Sequence, residues 1–351
     1  MPGLAALVLL LGLPLASLTP MGPSLPPLPI AAFPDHEPPV LSSQSWALYS
    51  VDEAALVWAA DVDEVRAPAS VTKVMTALVV VGRGVEPGEE VTISARAAAE
   101  PIGYTGQQKL YEGEVWTVEA LLADLLIYSD NGAAVALAEH TAGSVQAFVE
   151  LMNQKAVGLG MTSTHFENPN GLDEEGHVSS ARDLVRLGAA AIQEPRITRI
   201  TRLKSVSFNP DGRIMAVRNT NRLLGTFPGV LGLKTGDTAA AGEVLLSYAA
   251  LAHEDFIGAV MGSTDHMADT ADLLAYARKI LGPQDHFYAA GSHLDELAEW
   301  PAWRRARLAA AGPLDDGKRP GAPVPLSPAQ QDLAAALRDL LPALLGGDAG
   351  S

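Results

Sequence analysis

Arg66-Ala67-Pro68-Ala69-Ser70-Val71-Thr72-Lys73-Val74-Met75-Thr76-Ala77 is the stretch whose reading decides the fold. Pro68 closes a loop, and the spacing beyond it predicts a helix over 70–81, stopped by Gly82. Val71, Val74, Met75, Leu78 and Val79 recur at helical spacing, and the positions between them are mostly uncharged. Such a helix is buried nearly all round. Ser70 falls in its first turn, where unpaired N–H groups and the helix dipole favour developing negative charge. Lys73 lies one turn further along the same face. Desolvation in an apolar helix pushes its ammonium toward the neutral form, which can accept the Ser70 proton. An isolated S-x-x-K is more often a capping serine and a snorkelling lysine. The decision therefore rests on what else the chain contains.

Two further stretches supply it. Ser129-Asp130-Asn131 interrupts two apolar helical segments, 117–128 and 132–140. These residue types suit a plain polar turn. In a reactive site the Ser129 hydroxyl would relay a proton to a leaving group, and Asn131 would hold Lys73 and a substrate amide. Lys234-Thr235-Gly236 is read as the end of an otherwise apolar strand. A lone lysine there is commonly a solvated edge charge. Beside an open serine site, Lys234 offers a positive field and Thr235 a donor to a substrate carboxylate. Gly236 lets a substrate backbone run close by. The N–H of Asp237, with that of Ser70, would form an oxyanion hole.

Working outward, residues 45–51 and 55–60 form a hairpin around Asp52-Glu53, and 85–93 reads as extended chain and turns. Thr117 is a helix N-cap, and further helices cover 145–159 and 180–191 on either side of a polar loop over 164–177. Short strands are expected at 206–208 and 215–218. An antiparallel meander over 229–234, 244–251 and 256–262 precedes a helix over 269–281. The fold class is α+β: an antiparallel sheet built from both ends of the domain, flanked by helices, with a mostly helical insertion. Residues 1–20 read as a signal peptide or N-terminal anchor and 21–42 as a Pro-rich linker. The catalytic domain is placed at 43–282, with a short helical, Pro-rich extension over 283–351.

The 351 residues are 48% hydrophobic and carry a net charge of −17, a globular composition that argues against nucleic acid and against general adhesion to anionic membranes. There is no cysteine, which removes disulfides, thiolate nucleophiles and cysteine metal sites. No His pair stands at metal-ligand spacing and no phosphate loop follows a strand, so neither metal nor cofactor is expected. His140, His165 and His177 read as structural.

The three motifs in this order form the S-x-x-K, S-D-N, K-T-G set of the penicillin-recognising serine enzymes. The chain resembles the serine-type D-alanyl-D-alanine carboxypeptidases, the low-molecular-mass penicillin-binding proteins, over roughly 45–281. The resemblance extends to the quoted run around Ser70, to 131–140, to Thr164-His165-Phe166-Glu167-Asn168-Pro169-Asn170-Gly171-Leu172, to Asn219-Thr220-Asn221 and to Gly232-Leu233 before Lys234. It implies a serine transpeptidase/β-lactamase-like fold in an exported enzyme, at the periplasm or the outer face of the bacterial cytoplasmic membrane. Such an enzyme removes the terminal D-alanine of peptidoglycan stem peptides through an acyl-enzyme on Ser70, with Lys73 as base. Ser129 would be the proton relay, Asn131 a substrate and lysine holder, and Lys234 with Thr235 the carboxylate site. β-Lactams would acylate the same serine.

Asp237 stands where the family usually has an aromatic residue or His. Nothing after Leu281 reads as a β-rich second domain. Membrane contact is expected through the N-terminal segment and only weakly through the C-terminal helix, which Pro342 interrupts. Competing readings are a β-lactamase, for which Glu167 is the one tempting carboxylate, a D,D-endopeptidase, and a non-catalytic cell-wall-binding module.

Overall fold

The computed structural model describes residues 39–101, 110–251 and 254–281. Strand β1 (Ser45–Ser50) turns into β2 (Ala55–Ala60), its antiparallel partner. The chain then leaves the sheet and returns for β7 (Val230–Thr238), β8 (Gly242–Leu251) and β9 (Glu254–Ser263). The resulting sheet has the order β2-β1-β9-β8-β7. Every described pairing in it is antiparallel. β9 pairs with β1, Trp46 opposite Val260, so the two ends of the domain close one sheet. This is the α+β arrangement expected.

β1 is buried at every position, so both faces of the sheet are covered. Trp46, Leu48 and Val57 face one core with Leu273, Leu274 and Tyr276 of α8 (His266–Leu281). Ala47, Tyr49 and Leu56 face the other, where α6 (Ala181–Ala191) lies on the sheet. Behind α6 runs α1 (Thr72–Gly82), in contact with α4 (Asn131–Ala142), α5 (Val145–Gly158) and α7 (Pro195–Thr201). Thr72 through Val80 are all buried, which makes α1 the axis of the helical half.

Several local expectations change. Ser70 lies in a 3-10 turn, Ala69–Val71, that leads into α1 rather than in the helix itself. The segment expected as one helix over 117–128 is α3 (Val118–Ala123), capped by the Thr117 hydroxyl, followed by a π turn over Asp124–Tyr128. The strand expected to end at Lys234-Thr235-Gly236 continues to Thr238, because the ladder to β8 runs through Thr238↔Gly242. α8 begins at His266, ahead of the expected start. The short helix α2 (Ala95–Ala99) and α7 were not anticipated. Strand β3 (Glu90–Thr92) pairs with β4 (Val115–Thr117), and β5 (Ser205–Phe208) with β6 (Met215–Arg218). The N-terminal segment, the linker up to residue 38 and the C-terminal extension lie outside the described residues. Among the described residues no helix is long and apolar enough to cross a membrane.

Candidate active site

The site forms where the 3-10 turn, the break between the π turn and α4, and β7 meet. Ala69 is held at φ 48°, in the left-handed region, and this turn presents Ser70 half-exposed at the head of α1. Ser129 ends the π turn at φ 76°. Its N–H and that of Asp130 both donate to the Asp124 carbonyl. Asp130 then caps α4, accepting from the Ala133 N–H at 2.8 Å. The whole S-D-N stretch is buried.

Lys73 is fully buried and its Nζ makes three contacts. They are Ser70 Oγ at 2.8 Å, Asn131 Oδ1 at 2.8 Å and the Asn170 carbonyl oxygen at 2.6 Å. Two of these partners are amide oxygens, which only accept. Two N–H bonds therefore point at Asn131 and Asn170, and the third direction faces a hydroxyl. A neutral amine has two N–H donors and one lone pair, which matches this set, with the lone pair aimed at Ser70 Oγ. Burial drives the same way: it pulls the Lys73 pKa down to about 7, against the Asp130 and Glu100 charges that hold it up. Burial pushes the Asp130 carboxyl up in turn, against its helix N–H bonds and the Lys73 charge.

β7 is the edge strand beside this turn. A Cβ on Gly236 would stand 2.8 Å from Ala69 Cβ and 2.9 Å from the Ser70 amide N, so only glycine lets the strand come this close. Lys234 is buried, and its Nζ donates to the Thr235 carbonyl at 2.9 Å. Burial first, and the Lys73 charge second, hold its pKa well below the ordinary lysine value. Thr235 Oγ1 donates to Thr220 Oγ1 at 2.6 Å, and the Thr220 N–H donates to the Ile127 carbonyl at 3.1 Å. Thr220 thus joins β7 to the π turn. Asp237 is exposed and lies opposite Glu243 in the ladder.

Of the residues singled out in the sequence, Ser70, Lys73 and Asn131 are in direct contact, and Gly236 packs on the Ser70 turn. Ser129 lies at the break before Asn131, and Lys234 and Thr235 line up on the neighbouring strand. Three participants were not given a role. The Asn170 carbonyl binds Lys73 through backbone, which carries no residue signature. Thr220 lies in a run that matched the family without suggesting a contact. Glu100 accepts from Asn170 Nδ2 at 3.0 Å, and only its place just after a short helix would have drawn notice. His177 is buried between a 2.8 Å bond to Thr72 Oγ1 and a 3.0 Å bond accepted from the Glu167 N–H. Its Nδ1 is therefore the acceptor and Nε2 carries the proton. Burial lowers its pKa to about 4. Glu167 turns its carboxylate to His165, 3.3 Å away.

With this geometry in hand, the comparisons fix the class. The profile of the D-alanyl-D-alanine carboxypeptidase family matches residues 33–265, and the chain belongs to that family. It is 35% identical over 226 residues to D-alanyl-D-alanine carboxypeptidase DacF of Bacillus subtilis (strain 168), covering 63% of this chain and 58% of the relative. Among solved structures it is similar to the D-alanyl-D-alanine carboxypeptidase DacD from Francisella tularensis, with a TM-score of 0.65 and 28% identity over 69% of this chain and 71% of that one. The Streptomyces K15 DD-transpeptidase superposes with a TM-score of 0.64 at 25% identity, over 69% of this chain and 98% of that one. The chain spans about three fifths of the length of the first curated relatives it matches.

Proposed function

We propose that the chain is a serine D-Ala-D-Ala carboxypeptidase that trims the terminal D-alanine from peptidoglycan stem peptides, working outside the cytoplasmic membrane. One observation carries this reading: Lys73 Nζ sits 2.8 Å from Ser70 Oγ, with its two other directions taken by amide oxygens. A neutral Lys73 takes the proton of Ser70 Oγ as that oxygen attacks the carbonyl between the two D-alanines. The N–H groups of Ser70 and Asp237 hold the oxygen of the tetrahedral intermediate. Collapse breaks the C–N bond, and the Ser129 hydroxyl passes a proton to the departing D-alanine nitrogen, drawn from protonated Lys73. Lys234 and Thr235 receive the terminal carboxylate, while the substrate backbone lies along the β7 edge. Water then releases the acyl group. β-Lactams enter the same path and stop at the acyl-enzyme. Residues 43–282 form the catalytic domain, and the apolar N-terminal run directs export or anchoring.

A β-lactamase reading has less support, because the Glu167 carboxylate it relied on is turned to His165. Intact mass spectrometry after penicillin treatment tests the nucleophile. One penicilloyl adduct is expected on the wild type and none on Ser70→Ala; an adduct that persists in the variant overturns the assignment. D-alanine release from a D-Ala-D-Ala peptide, with and without an added amine acceptor, then separates hydrolysis from the transfer that the Streptomyces relative's name denotes. Fast penicillin hydrolysis by the purified protein would favour the lactamase reading instead.

A further inference from the structure

Both amide oxygens that orient Lys73 are themselves held by one dipeptide, Glu100-Pro101, which follows α2. Asn131 Oδ1 accepts from Lys73, and Asn131 Nδ2 donates to the Pro101 carbonyl at 2.9 Å. The Asn170 carbonyl accepts from Lys73 at 2.6 Å, and Asn170 Nδ2 donates to Glu100 Oε2 at 3.0 Å. The orientation of the Asn170 amide is fixed independently, because its Oδ1 accepts from the Leu172 N–H at 3.1 Å. Its NH₂ must therefore face Glu100, and an acceptor is required there. Asn170 is buried, so losing that acceptor strands a buried donor. Glu100 is half-buried, with no ion pair to a cation within salt-bridge distance among the described residues.

We infer that Glu100 is a positioning residue for the Lys73 base, acting through Asn170, with Pro101 making the parallel tie through Asn131. This rests on the reading of Ser70 and Lys73 as nucleophile and base. The carboxylate has two effects. Its oxygen keeps Asn170, and so the carbonyl that directs one Lys73 N–H, in place. Its negative charge favours the protonated form of Lys73. The other titratable groups facing Lys73 are Asp130 at the head of α4, which acts the same way, Lys234 on β7, and the neutral His177 before α6. Glu100 itself faces Arg96, Lys73 and Asp130, and burial raises its pKa against the two cations.

Two variants separate the effects. Glu100→Gln keeps an oxygen for Asn170 Nδ2 and removes the charge; Glu100→Ala removes both. The rate of acylation by a fluorescent penicillin is measured on the full chain across pH, with melting temperatures alongside. Glu100→Ala is expected to acylate about tenfold slower at the plateau, since a loosened base leaves its productive geometry. Glu100→Gln is expected to keep the plateau within about twofold and to react about threefold faster than wild type on the acidic limb, because Lys73 then loses its proton at lower pH. An alanine variant with wild-type plateau and pH profile sinks the inference. So does a glutamine variant as slow as alanine with an unmoved limb, which would make the residue merely structural. Failure of the underlying reading looks different: wild type itself would not be acylated on Ser70.

Discussion

At the scale of single residues the site depends on backbone that is forced into place. Ala69 takes a positive φ, and Gly171 comes against it: a Cβ on Gly171 would lie 2.0 Å from the Ala69 carbonyl oxygen and 3.0 Å from the Ser70 amide N. Gly171 also sits at φ 83°, where a side chain is strained in any case. Gly171→Ala is expected to displace the Ser70 turn, cutting penicillin acylation by about 100-fold and stability by at least about 2 kcal/mol. Stopped-flow acylation and urea melts check it, and a variant that acylates like wild type would mean the turn tolerates the shift. The sequence made Ser70 and Lys73 readable because a fixed helical spacing puts them on one face. It left Asn170 and Glu100 unread because a carbonyl carries no residue identity. A hydrogen bond across 70 positions of chain leaves no local pattern either.

At the scale of elements, the loop over 164–177 must be held against the Ser70 turn, and α6 does this through Asp183. Its buried carboxylate accepts from the Ser163 N–H at 2.7 Å, Thr164 Oγ1 at 2.9 Å and Arg186 at 2.8 Å. Removing one partner of a buried pair leaves the other charge uncompensated. Asp183→Ala is expected to cost about 3–5 kcal/mol and to lower acylation as the loop loosens, while Asp183→Asn, which keeps an oxygen, costs less. Chemical denaturation of the two variants gives the comparison; equal, small losses would show the loop is held by its own bonds. Long elements were legible here, because α1, α5, α6 and the β7–β8–β9 meander repeat their periods over enough residues. The five-residue α2 and the seven-residue α7 were not. α7 is rich in β-branched residues, and only its leading Pro195 signals a helix start. The π turn was also hidden: its sequence is a good helix, and the departure comes from Ser129 taking a left-handed backbone before Asp130 caps the next helix.

At the scale of the whole molecule, a fold that buries two lysines, one within reach of the other's charge, makes its stability depend on pH in the wrong sense for an ordinary acidic protein. Lys73 titrates at about 7 when folded, against 10.5 for the free side chain. Lys234 is likewise held well below that value, by burial and by Lys73. Between pH 7 and 10 the unfolded chain therefore binds more protons than the native state, and stability rises with pH. Below about 7 both states carry the Lys73 proton and this gain is absent. The carboxyls act in the opposite sense: Glu100 and Asp130, raised by burial, favour the native state as they bind protons, so their contribution fades as pH climbs through their folded values. Tyr49 and Tyr276, raised by burial, oppose the trend only above about 10. The free energy of unfolding is thus expected to increase from pH 7 to 9.5, with a slope on the order of 1.4 kcal/mol per pH unit for each buried lysine that titrates. Lys73→Met, which leaves the core filled and removes the group, should flatten that rise and raise stability most at pH 7. Urea denaturation of both proteins at several pH values decides it. A wild-type stability that is flat or falling over this window would mean Lys73 keeps its proton in the folded state, and the acylation rate should then lose its ascending limb near pH 7 as well.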